Sequence, residues 1–536
     1  MRTLFYNGRV FTGCGEMQQA FFVENDCFSH VGTDQEMLAL ARAGDELVNL
    51  NGAFVCPGFN DSHMHLLNLG NAMAMCNLAG AESLAALQQR LCVYLQENIL
   101  APGEWLLGRG WNQDLFSPAT GMPARWDLDK VSTRHPICIV RCCGHALSVN
   151  SLALEMLQLN EHTPCPPGGT LEKDSRGRLT GILLDGAMPL VQGRLPVPGV
   201  PQLKNMLRAA MRRLNKAGVT SCHSDDLLTF DHVPWQDVLA AYQELDAAGE
   251  MTVRVYQQCQ FTAPEALQAF LDTGLNTGAG TPFFKIGPLK MLGDGSLGAR
   301  TAFLRDGYAD APGEHGLVLF TQEQFDQMIS LAHRNGMQCA IHVIGDGVLD
   351  RVLAAYEKAF AAHPRPDHRS GIIHVQLTRP DQLEKIRALS LHAYVQTVFL
   401  DYDSHIVHAR AGSLADTSYA FRTLLEKGVS LSNGTDCPVE DPNPFRGIQC
   451  AVTRRPLDGS LPPYRPEEKL TVEEALLSYT AAGARASFEE NVKGKIAPGM
   501  AADFALLSAN PFLAAPETLS AITVQALWLN GRPLPL

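Results

Sequence analysis

Eight short apolar segments recur along the 536-residue chain, and a segment with helical periodicity precedes most of them. The helix-like stretch 202–218, for example, precedes the second apolar segment, and 321–336 precedes the fifth. Parallel strands need long crossovers, usually helices, so this alternation is typical of a parallel α/β sheet. Eight such units predict a (β/α)8 TIM barrel. The apolar segments are 53–65, 218–226, 253–261, 284–295, 338–346, 371–378, 392–399 and 429–438.

The two ends of the chain have a different sequence pattern from the middle, without its alternation of apolar and helix-like segments. Both are rich in short strand-like runs, and Asn-Gly and Asn-Asp turn signals separate those at the N-terminal end. We therefore expect a small β-sandwich-like domain built from both termini, residues 1–56 plus 487–536, beside a barrel at 57–486. The interval between the first two barrel strands is too long for one crossover and predicts an inserted subdomain at about 70–215.

Composition narrows the possible partners and the compartment. The formal net charge is −13 and no Lys/Arg-rich run is present, which argues against binding to nucleic acid or to an anionic membrane. The first residues are typical of a strand rather than a signal peptide, and no long apolar stretch predicts a transmembrane helix. The 14 cysteines are scattered without a CxxC pair, as expected for free thiols in a reducing cytosol. We expect a cytoplasmic protein with a small-molecule substrate.

Catalytic groups of such barrels lie at the carboxyl ends of the strands. A His-x-His pair alone is weak evidence, because roughly one chain in two of this composition would contain it by chance. Order along the chain makes the set informative: His-x-His, Lys, His, His and Asp follow the first, fourth, fifth, sixth and eighth segments. These residues are His63, His65, Lys290, His342, His374 and Asp436. The other segments offer His223 with Asp225, Gln260 and Gln396.

These residue types in this order point to a metal site. Alternate residues of a strand share a face, so His63 and His65 both point into the barrel mouth and can bind one divalent ion. His342 and His374, on neighbouring strands, can bind a second ion. A carbamylated lysine is an anionic carboxylate that can bridge two metals. Two such cations would hold a water, lower its pKa and polarise a carbonyl oxygen.

With these motifs in place, the sequence resembles the amidohydrolase superfamily, and within it the YtcJ-like branch that contains N-substituted formamide deformylases. The matching stretches run almost end to end, and DGSLGARTA is specific to the branch. They are PGFNDSHMHLLNLG (57–70), GRGWNQDLF (108–116), CGHALSVNS (143–151), GGTLEKDSRGRLTGILLDGA (168–187), GVTSCHSDD (218–226), LKMLGDGSLGARTAFL (289–304), IHVIGDGVLD (341–350), IIHVQL (372–377), SNGTDCPVEDPNP (432–444) and GKIAPGMAADFALL (494–507).

The resemblance implies a role for each residue of the set. His63 and His65 bind the more buried metal, and N6-carboxylated Lys290 bridges it to a second metal. His342 and His374 bind that second ion, and zinc is the expected metal, with one or two ions per chain. Asp436 contacts a metal, takes a proton from the attacking water as general base and returns it to the leaving amine. The implied reaction is hydrolysis of an amide-like C–N bond.

Five further residues are candidates for substrate binding. Trp111 offers a face for stacking and His145 a contact to a carbonyl; a packed tryptophan and a turn-capping histidine are the alternatives. Asp185 stands where the family commonly has Glu, so its reach is shorter by one methylene. Asp294 and Arg300 are expected to shape a loop over the site, and a structural ion pair is their alternative.

Two other functions compete with the amidase. A mononuclear deaminase acting on a ring amidine usually lacks the bridging lysine and has His-x-x-Glu near the fifth strand, whereas this chain has Lys290 and His-Val-Ile-Gly. A non-catalytic regulatory barrel would have lost at least one ligand, and all six positions are intact. A homodimer is considered for the assembly, and the oligomeric state stays open at this point.

Overall fold

The computed structural model describes residues 2–98, 100–101, 103–143, 145–230 and 232–536. Its largest sheet has eight strands in chain order, each parallel to its neighbours, so the predicted (β/α)8 barrel is confirmed. The strands are β1 (Phe59–Met64), β2 (Val219–Asp225), β3 (Arg254–Gln260), β4 (Phe284–Leu292), β5 (Cys339–Val343), β6 (Gly371–His374), β7 (His392–Val395) and β8 (Leu431–Asn433).

The barrel closes where the chain leaving β8 meets the end of β1. The backbone N–H of Asp436 donates to the carbonyl oxygen of His63, and the N–H of His65 donates to the carbonyl of Cys437, both at 2.8 Å. The backbone of Gly434 lies against His63 in the same seam. These contacts join the last strand to the first, so the carboxyl ends of all eight strands surround one mouth.

Helices separate successive strands of the barrel. Val200–Lys216 shows why they pack there: its buried Leu203, Leu207, Ala210 and Leu214 recur at helical spacing and form one apolar stripe. No helix of the described residues is long and apolar enough to cross a membrane. One helix precedes each of β2 to β8 and one follows β8: Val200–Lys216, Trp235–Ala247, Pro264–Leu271, Gln322–Arg334, Asp346–Ala362, Pro380–Ala388, Phe421–Glu426 and Pro444–Thr453. Smaller helices of the same unit are Asp34–Leu40, Leu400–Asp403, Val407–Ala411, Val472–Ser478 and Ala481–Ala486, with 3-10 turns at Thr397–Phe399, Gly412–Thr417, Pro466–Glu468 and Pro516–Ala521.

Of two further sheets, one consists of N-terminal strands and the other combines strands from both ends of the chain. Phe21, Phe504 and Trp528 pack between them, with the Phe504 and Trp528 rings stacked at 4.6 Å. The predicted division into 1–56 with 487–536, and 57–486, stays a proposal. In spatial order, one sheet is Cys27–Gly32, Ala20–Glu24, Arg2–Tyr6 and Glu46–Asn49, and the other is Arg9–Val10, Phe54–Pro57, Phe504–Leu507, Val524–Leu529 and Arg532–Leu534.

Residues Gly70–Gly199 form a compact unit of their own, and the helix Leu66–Met73 runs across its first boundary. Its mixed six-stranded sheet carries one apolar cluster around Leu147 and Leu183 and a second around Leu106 and Trp111. In spatial order the strands are Gly169–Lys173, Leu179–Asp185, Ala146–Val149, Ile137–Arg141, Leu106–Trp111 and Cys76–Asn77. The helices are Leu84–Glu97, Arg125–Asp129, Ser151–Met156 and Pro189–Gln192, with a 3-10 turn at Gln113–Leu115.

The first predicted apolar segment, 53–65, is two strands rather than one. Phe54–Pro57 pairs with Phe504–Leu507 in the five-stranded sheet, and β1 of the barrel begins directly after Gly58. A Cβ atom at Gly58 would lie 2.3 Å from Thr220 Oγ1, so only glycine fits where the chain passes between the sheets. An apolar run carries no signal for such a change of sheet, because both halves are buried.

Gly434→Ala tests the seam that closes the barrel. The added Cβ would lie 2.5 Å from His63 N and 2.7 Å from His63 O, and neither backbone atom can move without breaking the seam. We expect the free energy of unfolding in urea to fall by about 1–3 kcal/mol. Gly298→Ala is the control, because its Cβ would meet nothing closer than Tyr402 at 3.9 Å. Equal stability of the two variants would contradict this account of closure.

Candidate metal centre

The six predicted metal-binding residues are at the carboxyl ends of their strands. His63 lies near the end of β1 and His65 directly follows it; Lys290 lies in β4. His342 and His374 lie at the ends of β5 and β6. Asp436 follows β8 by three residues. All six are therefore on one face of the barrel, where parallel strands present their catalytic groups.

Asp436 forms the contact that joins the two histidines of β1. Its Oδ1 atom lies 3.2 Å from His63 Nε2 and 3.1 Å from His65 Nε2. His63 is 1% exposed, and the Asp436 carboxylate is also buried. Burial alone would raise the pKa of Asp436, but the contacts with His63 and His65 hold it well below its usual range. Asp436 is therefore a carboxylate in this site.

The histidines of β5 and β6 form a second close pair. His374 Nε2 and His342 Nδ1 are 2.8 Å apart. The two pairs are also close to each other, because ligand atoms of His63, His374 and Asp436 all lie within 4.8 Å of one another. The strand ends therefore bring together five side chains with lone pairs suited to a divalent cation.

Two glutamines fix the histidine tautomers. His63 Nδ1 lies 2.8 Å from Gln258 Oε1, and His374 Nδ1 lies 2.6 Å from Gln396 Oε1. The amide N–H groups of Gln258 and Gln396 donate to backbone carbonyls, which defines the orientation of each amide. Each histidine therefore donates Nδ1–H and keeps its Nε2 lone pair for the centre. Such partners orient metal-binding histidines in proteins generally.

The geometry of His342 tests whether a cation fits. His342 Nε2 lies 3.1 Å from the carbonyl oxygen of Gly295, which can only accept, so this nitrogen carries the hydrogen. The Nδ1 lone pair of His342 then faces the Nε2 lone pair of His374 across 2.8 Å, with no hydrogen between them. Two facing lone pairs repel unless a positive charge lies beside them. The residues present therefore fit a bound metal ion.

Lys290 is fully buried in β4, within reach of the first pair. Its Nζ atom lies 3.2 Å from His63 Nε2 and 3.7 Å from Asp225 Oδ2. Burial lowers the pKa of the Lys290 amine, although nearby Asp225 and Asp436 oppose this effect. A neutral amine is the form that reacts with CO2, so the environment is compatible with carboxylation.

The histidines are held in different charge states. Burial and the nearby Lys290 lower the pKa of His63 to about 4 and that of His342 to about 3, which keeps both rings neutral at pH 7. Burial also lowers the pKa of His65, but Asp436 outweighs it and raises the value to about 9. Without metal, a proton on His65 thus occupies the lone pair that a cation would use.

The backbone is strained at the ligands of the last strands. His374, Val375 and Asp436 have φ values of 78°, 49° and 58°, a region that non-glycine residues rarely adopt. The β-branched Val375 is the least suited to it. Such residues each cost about 1–3 kcal/mol and cluster at active sites, where the surrounding structure maintains them.

Asp294 and Arg300 lie on the loop that follows β4. Both oxygens of Asp294 accept backbone N–H groups, from Ile344, Gly345 and Phe303 at 2.7–3.0 Å. Arg300 is exposed and forms an ion pair with Asp310 at 2.7 Å. Asp294 therefore connects its loop to the turn after β5, and a substrate contact by either residue stays a prediction.

Trp111, His145 and Asp185 lie in the unit formed by Gly70–Gly199. Trp111 is 0% exposed and belongs to the apolar cluster of that unit. His145 and Asp185 are exposed, and His145 Nδ1 contacts Asp185 Oδ1 at 3.1 Å. The structure brings His145 and Asp185 together, and the substrate-binding role of all three stays a prediction.

Sequence reasoning did not assign a role to Gln258, Gln396 or Asp61. Asp61 accepts from the backbone N–H groups of Thr435 and His63, at 3.0 and 3.2 Å, and so supports the seam under the site. Because alternate residues of a strand lie on the same face, two of these residues could have been found: Asp61 is two residues before His63, and Gln258 is two before Gln260. Gln396 was visible as a polar strand end, but its histidine partner was not.

Metal-free protein should lose stability on acidification. The pKa values of His63 and His342 are lowered in the folded state, so between pH 6.5 and about 4 the unfolded chain binds protons that the folded chain does not. From pH 7 to 5, one such histidine removes about 2 kcal/mol of stability. The raised pKa values of His65, Asp61 and Asp294 oppose this loss, but they are outweighed because four further histidines also have lowered pKa values: His223, His368, His374 and His392. Urea unfolding at both pH values measures the sum; equal or greater stability at pH 5 would contradict it.

Gln396→Leu tests the tautomer argument. Without the amide oxygen that accepts from His374 Nδ1, the ring is free to turn or change tautomer. We expect the affinity for zinc to fall by about 10–100-fold in a chelator competition assay. Gln382→Leu is the matched control, since this buried glutamine donates to the Asp346 carbonyl and hydrogen-bonds to none of the six residues of the centre. Unchanged affinity in Gln396→Leu would remove Gln396 from the centre.

Comparison with known proteins agrees with this geometry. The family model described as "Amidohydrolase family" matches residues 46–535. The chain is 31% identical to the putative amidohydrolase YtcJ of Bacillus subtilis (strain 168), over 99% of each protein. It is 24% identical to the N-substituted formamide deformylase of Arthrobacter pascens, over 98% of this chain and 96% of that one.

Among solved structures, an uncharacterized metal-dependent hydrolase from Pyrococcus furiosus superposes with a TM-score of 0.77 and 28% identity. The match covers 96% of this chain and 100% of the Pyrococcus protein. The resemblance inferred from the sequence motifs is thereby confirmed. The chain belongs to the amidohydrolase family, in its YtcJ-like branch, and is a metal-dependent hydrolase that acts on carbon–nitrogen bonds.

Proposed function

We propose that this protein hydrolyses the amide-like C–N bond of a small molecule such as an N-substituted formamide, with zinc as its metal. The observation that carries the proposal is the convergence of four histidine rings and one carboxylate at the mouth of the barrel, with the lone pairs of His342 and His374 facing each other. Buried lone pairs that face one another need a cation, and neutral imidazoles with a carboxylate are the ligands zinc prefers.

The proposed ligand sets follow the two pairs of histidines. His63 and His65 would hold one ion and His342 and His374 a second, with Asp436 beside the first. Lys290, carboxylated at Nζ, would bridge the two positions, since its strand β4 pairs with β5, which carries His342, and its amine lies 3.2 Å from His63 Nε2. When bound, the metal would polarise the substrate carbonyl and lower the pKa of the attacking water.

Asp436 is the proposed proton carrier. Its pKa is held well below the usual range, so the carboxylate is free to accept a proton from water at neutral pH. The protonated carboxyl then gives that proton to the leaving nitrogen, which turns a poor amide leaving group into a neutral amine. The carbon retains the water oxygen, so the products are a carboxylic acid and an amine.

A small amide is the proposed substrate class because a formamide deformylase aligns over nearly the whole chain. A formyl carbon carries only hydrogen beside its oxygen and nitrogen, so it needs little room close to the ligands. We further propose that the enzyme is cytoplasmic. Its 14 cysteines are free and eight of them are buried, as expected for thiols in a reducing compartment. We also propose that the protein binds no nucleic acid, in keeping with its net charge of −13, and that it forms a homodimer.

Purified protein and two variants test this function. Release of amine and acid from N-formyl and N-acyl amines, or ring opening of cyclic amides, identifies the substrate class, and metal analysis gives the number of zinc ions. His63→Ala should lose metal and activity together, because it removes a buried ligand. Asp436→Asn should keep most of its metal and lose about 100–10,000-fold in kcat, because the amide cannot accept the proton.

Asp403→Asn is the control for Asp436→Asn. Asp403 is also a buried carboxylate, but its partners are the Tyr419 hydroxyl and the Gln376 amide. It should keep both its metal and its turnover. Full activity of Asp436→Asn, or a stable wild-type protein that binds no metal and ignores chelators, would contradict the proposal.

A further inference from the structure

Asp225, at the end of β2, is a buried carboxylate without a hydrogen-bond donor. Its side chain is 1% exposed, and neither carboxylate oxygen has a hydrogen-bond partner within the described residues. The Lys290 Nζ atom lies 3.7 Å from Oδ2, which is longer than a hydrogen bond. A buried carboxylate is costly unless a cation or several donors compensate it, and one contact with Lys290 that is longer than a hydrogen bond compensates this group only in part.

The next residue in the chain shows what a satisfied carboxylate looks like here. Asp226 is fully buried too, but it accepts from the backbone N–H of Leu67 at 2.8 Å and from the Tyr242 hydroxyl at 2.6 Å. Both oxygens of Asp226 are therefore satisfied by protein donors, which hold the chain after β1 and β2. Of these two neighbouring buried carboxylates, only Asp225 lacks hydrogen-bond donors among the described residues.

Asp225 already contacts the metal centre through its backbone. Its carbonyl oxygen lies 3.1 Å from His65 Nδ1 and so keeps His65 Nε2 directed at the centre. Its carboxylate borders Lys290 Nζ, which in turn lies 3.2 Å from His63 Nε2. Asp225 is therefore linked to both β1 histidines, to His65 through its backbone carbonyl and to His63 through Lys290 Nζ, which lies between the carboxylate and the ring.

We propose that Asp225 is a further carboxylate ligand of the cation held by His63 and His65. This inference rests on the proposed function, since it requires that a metal ion binds. Asp225, Asp436 and carboxylated Lys290 would together supply three negative charges to a centre whose two divalent ions carry four positive ones. The same bond supplies the compensation that the Asp225 oxygens lack.

Zinc binding to the full-length protein tests this ligand without reference to turnover. Asp225→Asn should lower the affinity for zinc by at least about 10-fold in a chelator competition assay, the smallest loss typical of even an indirect partner of a metal. Asp403→Asn is the matched control, since this buried carboxylate accepts from the Tyr419 hydroxyl and contacts no ligand, and it should keep wild-type affinity. Equal affinity of Asp225→Asn and wild type would overturn the proposal.

Cobalt substitution tests direct coordination, and it stays available if Asp225→Asn does not fold. A thiolate bound to Co²⁺ gives a charge-transfer absorption in the near ultraviolet that nitrogen and oxygen ligands lack. Asp225→Cys loaded with Co²⁺ should gain this band, whereas wild type and Asp226→Cys should not. A folded, cobalt-binding Asp225→Cys without the band would overturn direct ligation.

Failure of this inference is distinct from failure of the proposed function. Wild-type protein that binds neither zinc nor cobalt would remove both. Wild-type protein that binds zinc and hydrolyses an amide, together with an Asp225→Asn variant of unchanged zinc affinity, would remove only the role of Asp225.

Discussion

The seam between the first and last barrel strands is the constraint on which the rest of the site depends. His65 and Asp436 are 371 residues apart in sequence, yet their side chains meet at 3.1 Å. Backbone hydrogen bonds on both sides of that contact hold the end of β1 against the chain after β8. Because the ligands are attached to that backbone, closing the barrel also assembles the metal centre.

Electrostatic repulsion among the buried ligands destabilises the metal-free centre, and a bound cation can relieve it. Neutral, buried imidazoles with fixed tautomers face one another and a carboxylate, and Asp225 adds two oxygens with no donor among the described residues. Burial of polar groups without partners opposes folding. Metal binding therefore couples directly to stability, as in other proteins whose ligands are brought together by the fold.

The barrel and the order of its ligands were accessible from the sequence, because strand periodicity and the position of each polar residue at a strand end are local features. His63, Lys290 and His374 could thus be selected without any long-range information. The second layer was not accessible in the same way. The Gln258–His63 bond spans 195 residues, and its formation depends on the stagger between neighbouring strands, which periodicity does not define. The split of the first segment at Gly58 was missed for a similar reason, since the crowding comes from Thr220 on another strand.

X-ray absorption spectroscopy at the zinc edge of the metal-loaded protein tests the central claim most directly. The account predicts a first shell of nitrogen and oxygen atoms only, with the multiple-scattering pattern of imidazole rings. The chain has 14 free cysteines that could capture zinc elsewhere. A first shell containing sulfur, or one without imidazole scattering, would contradict a centre built from these histidines and carboxylates.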